Sequence, residues 1–294
     1  MQTTHTRSTS DFGIAPGSIS VQQPTIADQI HGHLVLREAD LRHQFTRKHG
    51  PVQARFCVLD NLLPESLVRD IHDRFPPHEQ MRLMSTFRES KYTSKALDKM
   101  DELIRDALYA FQDPRVLDVV GRITGMPRLL ADPSLYAGGI SSMTKGQFLN
   151  PHLDNSHEGT RSYYRRLNAL FYVTPYWDPK GGGNLELWDN PVRQAIEIPS
   201  LFNRLVIMET NRTSWHSVNP VNQAGARCCV SNYYFTETSP EAYDYFHVTT
   251  FSARPEQPLT RLRCRVDNLL RSAVRVFKKD GLGKKDVYEQ KKAA

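Results

Sequence analysis

The sequence predicts a mainly β fold with flanking helices. Between about residue 135 and residue 252, short segments rich in β-branched and aromatic residues alternate with Gly, Pro and Asn. Several strands of this length at this spacing are typical of an all-β sandwich or barrel. Before these segments, and again after them, apolar residues recur at helical spacing.

The region before the strands is expected to be mostly helical. Residues 56–59 form a short predicted strand, and an amphipathic stretch over residues 64–75 predicts a first helix. Helical spacing predicts a second helix over residues 94–111. Asp113 and Gly125 are typical of the two ends of a third helix, since Asp caps an N-terminus and Gly a C-terminus.

The predicted strands share β-branched or aromatic residues and lie between turn-forming residues. They are residues 135–143, 147–153, 167–174, 184–188, 194–198, 204–208, 215–218, 227–236 and 245–250. A final amphipathic helix is predicted over residues 260–277, with its apolar stripe packed on the body and its arginines in water.

These patterns divide the chain into four regions. Residues 1–28, rich in Ser, Thr, Gln and Pro, are expected to be a flexible N-terminal arm. Residues 29–134 form the mostly helical support region and residues 135–252 the β core. Residues 253–294 form a basic amphipathic C-terminal helix and tail.

Composition indicates a folded protein of the cytoplasm. The chain has 294 residues, of which 39% are hydrophobic and 24% charged, which is typical of a globular protein and not of a disordered one. No apolar run approaches the roughly 20 residues that span a bilayer, and no apolar secretion signal is present. The four cysteines have no framework spacing, so we expect reduced thiols.

The positive charge is confined to the C-terminal region. Residues 261–294 contain eleven Lys or Arg and four Asp or Glu, a net charge of +7, whereas the whole chain carries +6. Residues 1–260 therefore carry −1. Since nucleic-acid binders place basic residues on the face that contacts the nucleic acid, we do not expect such a partner. A solvated charged helix and a helix that meets an anionic partner both remain open.

Three residues are candidate metal ligands. His152 and Asp154 lie two residues apart in a predicted strand, so their side chains project from the same face. His216 lies in a distant predicted strand and is a candidate third ligand. Two histidines and one carboxylate on one side of Fe(II) leave open coordination positions, as in non-haem iron oxygenases.

Arg227 is the candidate anchor for a second ligand of such a site. It lies eleven residues beyond His216, at the start of a predicted inward-facing strand. A guanidinium there suits bidentate capture of a carboxylate. If Arg227 binds the distal carboxylate of a 2-oxo diacid, the 2-oxo acid end can chelate the iron and leave one position for dioxygen.

The order of these motifs resembles the iron(II)/2-oxoglutarate-dependent dioxygenase superfamily, and is most similar to its prolyl-4-hydroxylase-like branch. The resemblance covers residues 135–235, about a third of the chain. In chain order, it rests on Gly146-Gln-Phe-Leu149, the His152 and Asp154 pair, Gly181-Gly-Gly-Asn-Leu-Glu-Leu187, Phe202-Asn-Arg-Leu-Val206, His216 and Arg227. The resemblance implies a double-stranded β-helix, or jelly roll, as the catalytic core.

The resemblance also implies roles for individual residues. His152, Asp154 and His216 would bind Fe(II), and Arg227 would bind the C5 carboxylate of 2-oxoglutarate. Members of this branch often place a Tyr seven to ten residues before the first ligand, but that window has no Tyr here. Tyr136, further upstream, is retained as a candidate co-substrate contact. Asn168 is another, although a structural hydrogen bond is an alternative for it.

We therefore expect a dioxygenase that uses Fe(II), 2-oxoglutarate and O2 to hydroxylate a C–H bond of a small-molecule or amino-acid-derived substrate, with decarboxylation of 2-oxoglutarate to succinate. Hydroxylation of peptidyl proline is the alternative enzyme function. A non-enzymatic jelly-roll protein, whose basic tail binds nucleic acid or anionic surfaces, is the alternative of another class. The C-terminal helix is a candidate contact between two copies of the chain.

Overall fold

The computed structural model describes residues 24–132, 135 and 138–277. Its α-helices are α1 (Ile26–Leu36), α2 (Glu38–Thr46), α3 (Glu65–Asp73), α4 (Glu102–Ala110), α5 (Pro114–Thr124) and α6 (Pro258–Phe277). Its strands are β1 (Phe56–Asp60), β2 (Arg82–Ser85), β3 (Glu89–Thr93), β4 (Gly139–Thr144), β5 (Phe148–Leu153), β6 (Tyr164–Tyr172), β7 (Leu185–Trp188), β8 (Ala195–Ile198), β9 (Arg204–Glu209), β10 (His216–Val218), β11 (Ala226–Thr236) and β12 (Thr250–Phe251).

The described strands form one antiparallel sheet that curls until its two halves face each other. The order is β1-β9-β6-β11-β4-β3-β5-β10-β7-β8, with β2 paired to β3 and β12 to β5. Side chains from β7, such as Leu187, share a buried cluster with Val206 and Met208 of β9. The two halves therefore enclose an interior, and the predicted mainly β fold with flanking helices is confirmed.

The half of the sheet formed by β1, β9, β6, β11 and β4 buries both of its faces. Alternate residues of β6 and β11, among them Phe171 and Cys228, join the large core cluster with the helices. Their neighbours Tyr172 and Cys229 point the other way, into the interior. Because side chains alternate along a strand, the outer face of this half packs against the helices. The inner face is available for binding and catalytic residues.

The helices cover the outer face of this half. In α1 the Thr25 side chain accepts a hydrogen bond from the Asp28 backbone and Asp28 accepts one in return, a capping box. This helix begins at Ile26, inside the segment expected to be a flexible arm; residues 1–23 of that arm lie outside the described residues. Helix α5 has Asp113 as its N-cap and Gly125 in the left-handed conformation as its C-cap, as predicted.

The predicted helix over residues 94–111 is wrong in its first part. Only α4, which begins at Glu102, is α-helical there. Ser94 instead donates its backbone N–H to the carbonyl of Ile140 at 3.0 Å and accepts the Ile140 N–H on its hydroxyl at 3.3 Å. Pairing with β4 therefore ties Ser94 to the sheet, a 3-10 turn follows at Leu97–Lys99, and Asp101 caps α4.

The hairpin of β2 and β3 was not predicted. Its sequences, Arg-Leu-Met-Ser and Glu-Ser-Lys-Tyr-Thr, have no alternation of apolar and polar residues. Strand β3 pairs with both β4 and β5 and so joins the two halves of the sheet. This hairpin forms because β3 pairs with strands that are distant in sequence. The residues of β2 and β3 do not by themselves predict a strand.

Helix α6 packs its polar side on the body, whereas the sequence predicted that its apolar stripe would pack there. Cys264 is fully buried against the body, whereas Leu262 and Leu269 are exposed. Asp267 pairs with Arg88 at 2.7 Å, and Asn268 hydrogen-bonds the backbone of Phe251. These polar contacts turn the apolar stripe of α6 away from the body.

Gly182 lies where the chain enters β7, and its backbone permits no side chain. Its φ is +79°, and an added Cβ would lie 2.0 Å from the carbonyl oxygen of Pro220. We expect Gly182→Ala to lower the free energy of unfolding by about 3 kcal/mol, since strain and overpacking add. Urea denaturation measures this.

Gly50→Ala is the matched control, because Gly50 has φ +57° with nothing within 4 Å of an added Cβ. Its free energy of unfolding should fall by only about 1 kcal/mol, the cost of the backbone conformation alone. Equal losses in the two variants would mean that the contact with Pro220 does not constrain this turn.

Candidate metal centre

Three candidate ligands converge in the interior of the curled sheet. Strands β5 and β10 are neighbours, and their register places His216 opposite His152. Asp154 follows the end of β5 and lies two residues from His152, so the two side chains share a face. The ring centroids of the histidines are 4.1 Å apart, and one potential ligand atom from each of the three residues lies within 4.8 Å of the others.

The hydrogen bonds of the two histidines fix which ring nitrogen faces the cluster. His152 Nδ1 lies 3.0 Å from the Asn150 carbonyl oxygen, and His216 Nδ1 lies 2.9 Å from that of Ser214. Because a carbonyl only accepts hydrogen bonds, both Nδ1 atoms carry the proton in the neutral ring. Both Nε2 atoms are therefore left with a lone pair, the state in which imidazole binds metals.

Lone pairs of the three side chains point at one another. The Nε2 atoms of His152 and His216 each lie 3.6 Å from an oxygen of Asp154, too far for a hydrogen bond. Burial and the neighbouring His152 lower the pKa of His216 to about 4, so its ring is neutral near pH 7. Acceptor atoms gathered without a proton between them are what a divalent cation requires, and these residues fit Fe(II).

The carboxylate of Asp154 stays ionised although its side chain is only 12% exposed. Burial alone would raise its pKa, but the guanidinium of Arg165 holds the pKa well below its usual range. Arg165 Nη1 lies 3.3 Å from Asp154 Oδ2, and Asn168 donates its side-chain N–H to the same oxygen at 2.8 Å. Asn168 therefore contacts the carboxylate ligand, which is the structural role that the sequence left open for it.

A β-bulge brings Arg165 to this position. In the pairing of β6 with β11, Leu167 faces Tyr234 and Arg165 faces Phe235, which leaves Arg166 without a partner. One extra residue in a strand reverses the alternation beyond it. Arg165 thus points to the same interior face as Asn168, although simple alternation would put it among the helices with Leu167.

Arg227 lies in the interior on β11 and is only 4% exposed. Its Nε donates to the Gly183 carbonyl at 3.1 Å, its Nη2 lies 3.2 Å from the sulfur of Met143, and the guanidinium stands 5.3 Å from the ring of Tyr172. Among the described residues, no carboxylate pairs with it. A buried cation without a counter-ion favours binding of an anion.

Sequence reasoning did not identify Tyr172 as a site residue, and it left open whether Arg165 attracts an anionic substrate or only caps a loop. The signal for Tyr172 was available, since it stands four residues after Asn168 in one strand and so shares its face. Tyr136, the candidate chosen from the sequence, lies outside the described residues.

Beside Asp154, aromatic side chains form a cluster that we call the aromatic rim. It consists of His157, Tyr164, Tyr245 and Phe246. His157 is buried and shares a 2.8 Å hydrogen bond with Ser156, not with any of the three candidate ligands. Arg161 stands 4.1 Å over the ring of Phe246, so the rim carries positive charge at its edge.

The C-terminal segment closes the other side of the site. Phe251 pairs with His152 across β12 and β5, and the two rings stack with centroids 5.3 Å apart. Asn268 of α6 holds Phe251 by two hydrogen bonds to its backbone, at 3.0 and 2.7 Å. Helix α6 therefore fixes a ring that limits the movement of one candidate ligand.

Comparison with known proteins agrees with this geometry. Residues 138–235 match the model of the 2OG-Fe(II) oxygenase superfamily. No curated protein matches the chain. Among solved structures, a prolyl hydroxylase from Trichoplax adhaerens, in complex with a hypoxia inducible factor oxygen degradation domain peptide fragment, is 19% identical with a TM-score of 0.50, over 71% of this chain and 93% of that one.

Two further structures are similar at lower scores. A Pseudomonas putida prolyl-4-hydroxylase is 16% identical with a TM-score of 0.48, over 70% of this chain and 100% of that one. HygX from Streptomyces hygroscopicus, with nickel, 2-oxoglutarate and hygromycin B bound, is 14% identical with a TM-score of 0.43, over 61% of this chain and 82% of that one.

Residues 138–235 therefore match the predicted superfamily. The structural similarity confirms the jelly-roll core. The predicted cofactor and co-substrate, Fe(II) and 2-oxoglutarate, are confirmed as those of the matching family, and the three converging side chains fit the metal. No described helix is long and apolar enough to cross a membrane.

Loss of the Arg165 charge should destabilise the metal-free protein. In Arg165→Met the Asp154 carboxylate remains buried without its cation, so we expect the free energy of unfolding to fall by about 3 kcal/mol. Arg212→Met is the control, because Arg212 is exposed. It should change the free energy of unfolding by less than about 0.5 kcal/mol. Equal losses in chemical denaturation would contradict the role of Arg165 as counter-ion.

Proposed function

We propose that this chain, whose residues 138–235 match the model of the 2OG-Fe(II) oxygenase superfamily, is a 2-oxoglutarate-dependent dioxygenase. Its reaction is the hydroxylation of a C–H bond of a small-molecule or amino-acid-derived substrate that bears a carboxylate. The observation that carries the proposal is the set of acceptor atoms on His152, Asp154 and His216. We assign these three residues as the Fe(II) ligands. Bound Fe(II) supplies activation of O2 at the positions that three protein ligands leave open.

The chain prepares these ligands before any metal binds. The carbonyls of Asn150 and Ser214 hold the two rings in the tautomer whose Nε2 lone pairs face the site. Arg165 keeps Asp154 ionised, so no proton has to leave when the metal enters. Phe251 covers one ring face of His152 and excludes water from it.

We assign Arg227 as the residue that binds the distal carboxylate of 2-oxoglutarate. Its buried guanidinium has no carboxylate partner among the described residues, so the co-substrate would supply the missing negative charge. Tyr172 lies against the guanidinium and is a second candidate contact. The apolar residues Trp177, Val218 and Val221, which form one buried cluster with Met143, keep this end of the site dry and strengthen the ion pair.

Arg165 also supports a substrate that bears a carboxylate. Its side chain is 2% exposed, and its Nε and Nη2 atoms have no hydrogen-bond partner among the described residues. Two parallel N–H groups beside the metal ligands suit a carboxylate or carbonyl oxygen of the substrate. The aromatic rim, with Arg161 at its edge, offers flat apolar surface and positive charge for the rest of such a molecule.

Arg227→Gln should raise the KM for 2-oxoglutarate about ten- to a hundredfold, because a charge-assisted pair is lost. Arg161→Gln, at the aromatic rim, should leave that KM unchanged. Succinate formation measures both, and Arg227→Lys shows whether charge alone suffices. An unchanged KM in folded Arg227→Gln protein would remove Arg227 from the co-substrate site.

The substrate class is tested by a panel of free amino acids and small carboxylates beside end-blocked prolyl peptides. We expect small carboxylates to raise succinate formation above the rate without substrate. Arg165→Lys should raise the KM for the substrate and not that for 2-oxoglutarate, since it keeps the charge and loses the paired donors. Stimulation by the peptides alone would establish peptidyl-prolyl hydroxylation instead.

A further inference from the structure

Helix α6 is docked on the protein through its polar face. Cys264 is fully buried beneath it, Asp267 pairs with Arg88 at 2.7 Å, and Asn268 bonds the backbone of Phe251. Arg261 donates to the carbonyls of Ala253, at 2.8 Å, and Val192. These contacts lie on one side of the helix and fix its rotation.

The opposite side of α6 is apolar and faces solvent. Leu262 and Val266 each stand two residues from Cys264, which is about 200° around a helix. The leucines of this face are Leu259, Leu262, Leu269 and Leu270, exposed by 82, 59, 72 and 63%, and Val266 is exposed by 50%. From Leu259 to Leu270 the face is about 16 Å long. Folded proteins rarely leave such a continuous apolar face in water without a partner.

Charge distinguishes the possible partners of this apolar face. Arg263 and Arg265 flank it, and the only acidic residue of α6, Asp267, is paired with Arg88 on the other side. A second copy of the helix would therefore offer these arginines no carboxylate. It would also bring together two C-terminal regions that each carry +7 over residues 261–294.

We propose that the apolar face of α6 docks on the surface of an anionic lipid bilayer. The apolar side chains would enter the boundary between headgroups and acyl chains, and the flanking arginines would meet lipid phosphates and carboxylates. Residues 1–260 carry only −1, so the attraction is concentrated at the helix and the tail and orients the molecule. The helix lies on the bilayer and does not cross it, in agreement with the absence of a membrane-spanning helix among the described residues.

Co-sedimentation of the full-length protein with vesicles tests this proposal. We expect binding to vesicles of phosphatidylcholine with phosphatidylserine, weaker binding to phosphatidylcholine alone, and weakening by salt. The double variant Leu262→Ser/Leu269→Ser should bind at least about tenfold more weakly. It removes only exposed side chains, so it should fold.

Leu83→Ser is the matched control, since Leu83 is 51% exposed on β2 and lies outside the helix. It should bind as the wild type does. Absence of binding to either vesicle, or equal binding by the double variant, would overturn the proposal. A concentration-dependent dimer in sedimentation velocity, lost in the double variant and unaffected by vesicles, would overturn it in favour of a second copy.

Discussion

Repulsion between three electron-pair donors in the interior of the sheet is the constraint on which the rest of the site depends. His152 and His216 present lone pairs to the carboxylate of Asp154 at 3.6 Å, in an interior where these side chains are at most 12% exposed. Such a cluster is stable only if positive charge compensates it. The protein supplies one cation, Arg165, beside the carboxylate, and in our proposal Fe(II) supplies the remaining positive charge.

The fold meets this constraint by using the two faces of one sheet differently. The outer face of β6, β9 and β11 packs against the helices, and together they form the large core. The inner face carries the polar groups, so the residues that bind can vary without loss of that core. Strand β3 joins the halves, and Phe251 of β12, held by α6, covers the ring of His152. The two candidate histidine ligands are thus held by β5 and β10, and the contact with Phe251 further limits the movement of His152 when no metal is bound.

The features that follow strand alternation could be predicted from the sequence, and those that depend on pairing could not. The shared face of His152 and Asp154, the caps of α5 and most strand positions are local. Arg165 reaches the site only because one residue, Arg166, bulges out of register with β11. In the same way, an apolar stripe predicts an amphipathic helix, but only contacts with distant residues decide which side of α6 meets the body. Tertiary pairing therefore determines both the rotation of α6 and the position of Arg165.

The most direct test of this account is the visible absorption of the protein with Fe(II) and 2-oxoglutarate in the absence of oxygen. If the three acceptors hold the metal and Arg227 holds the distal carboxylate, the chelated 2-oxo acid gives a weak charge-transfer band. The band should be absent with succinate in place of 2-oxoglutarate, absent in His152→Ala, and weaker in Arg227→Ala. No band in folded wild-type protein with both ligands present would contradict the assignment of this cluster as the metal centre.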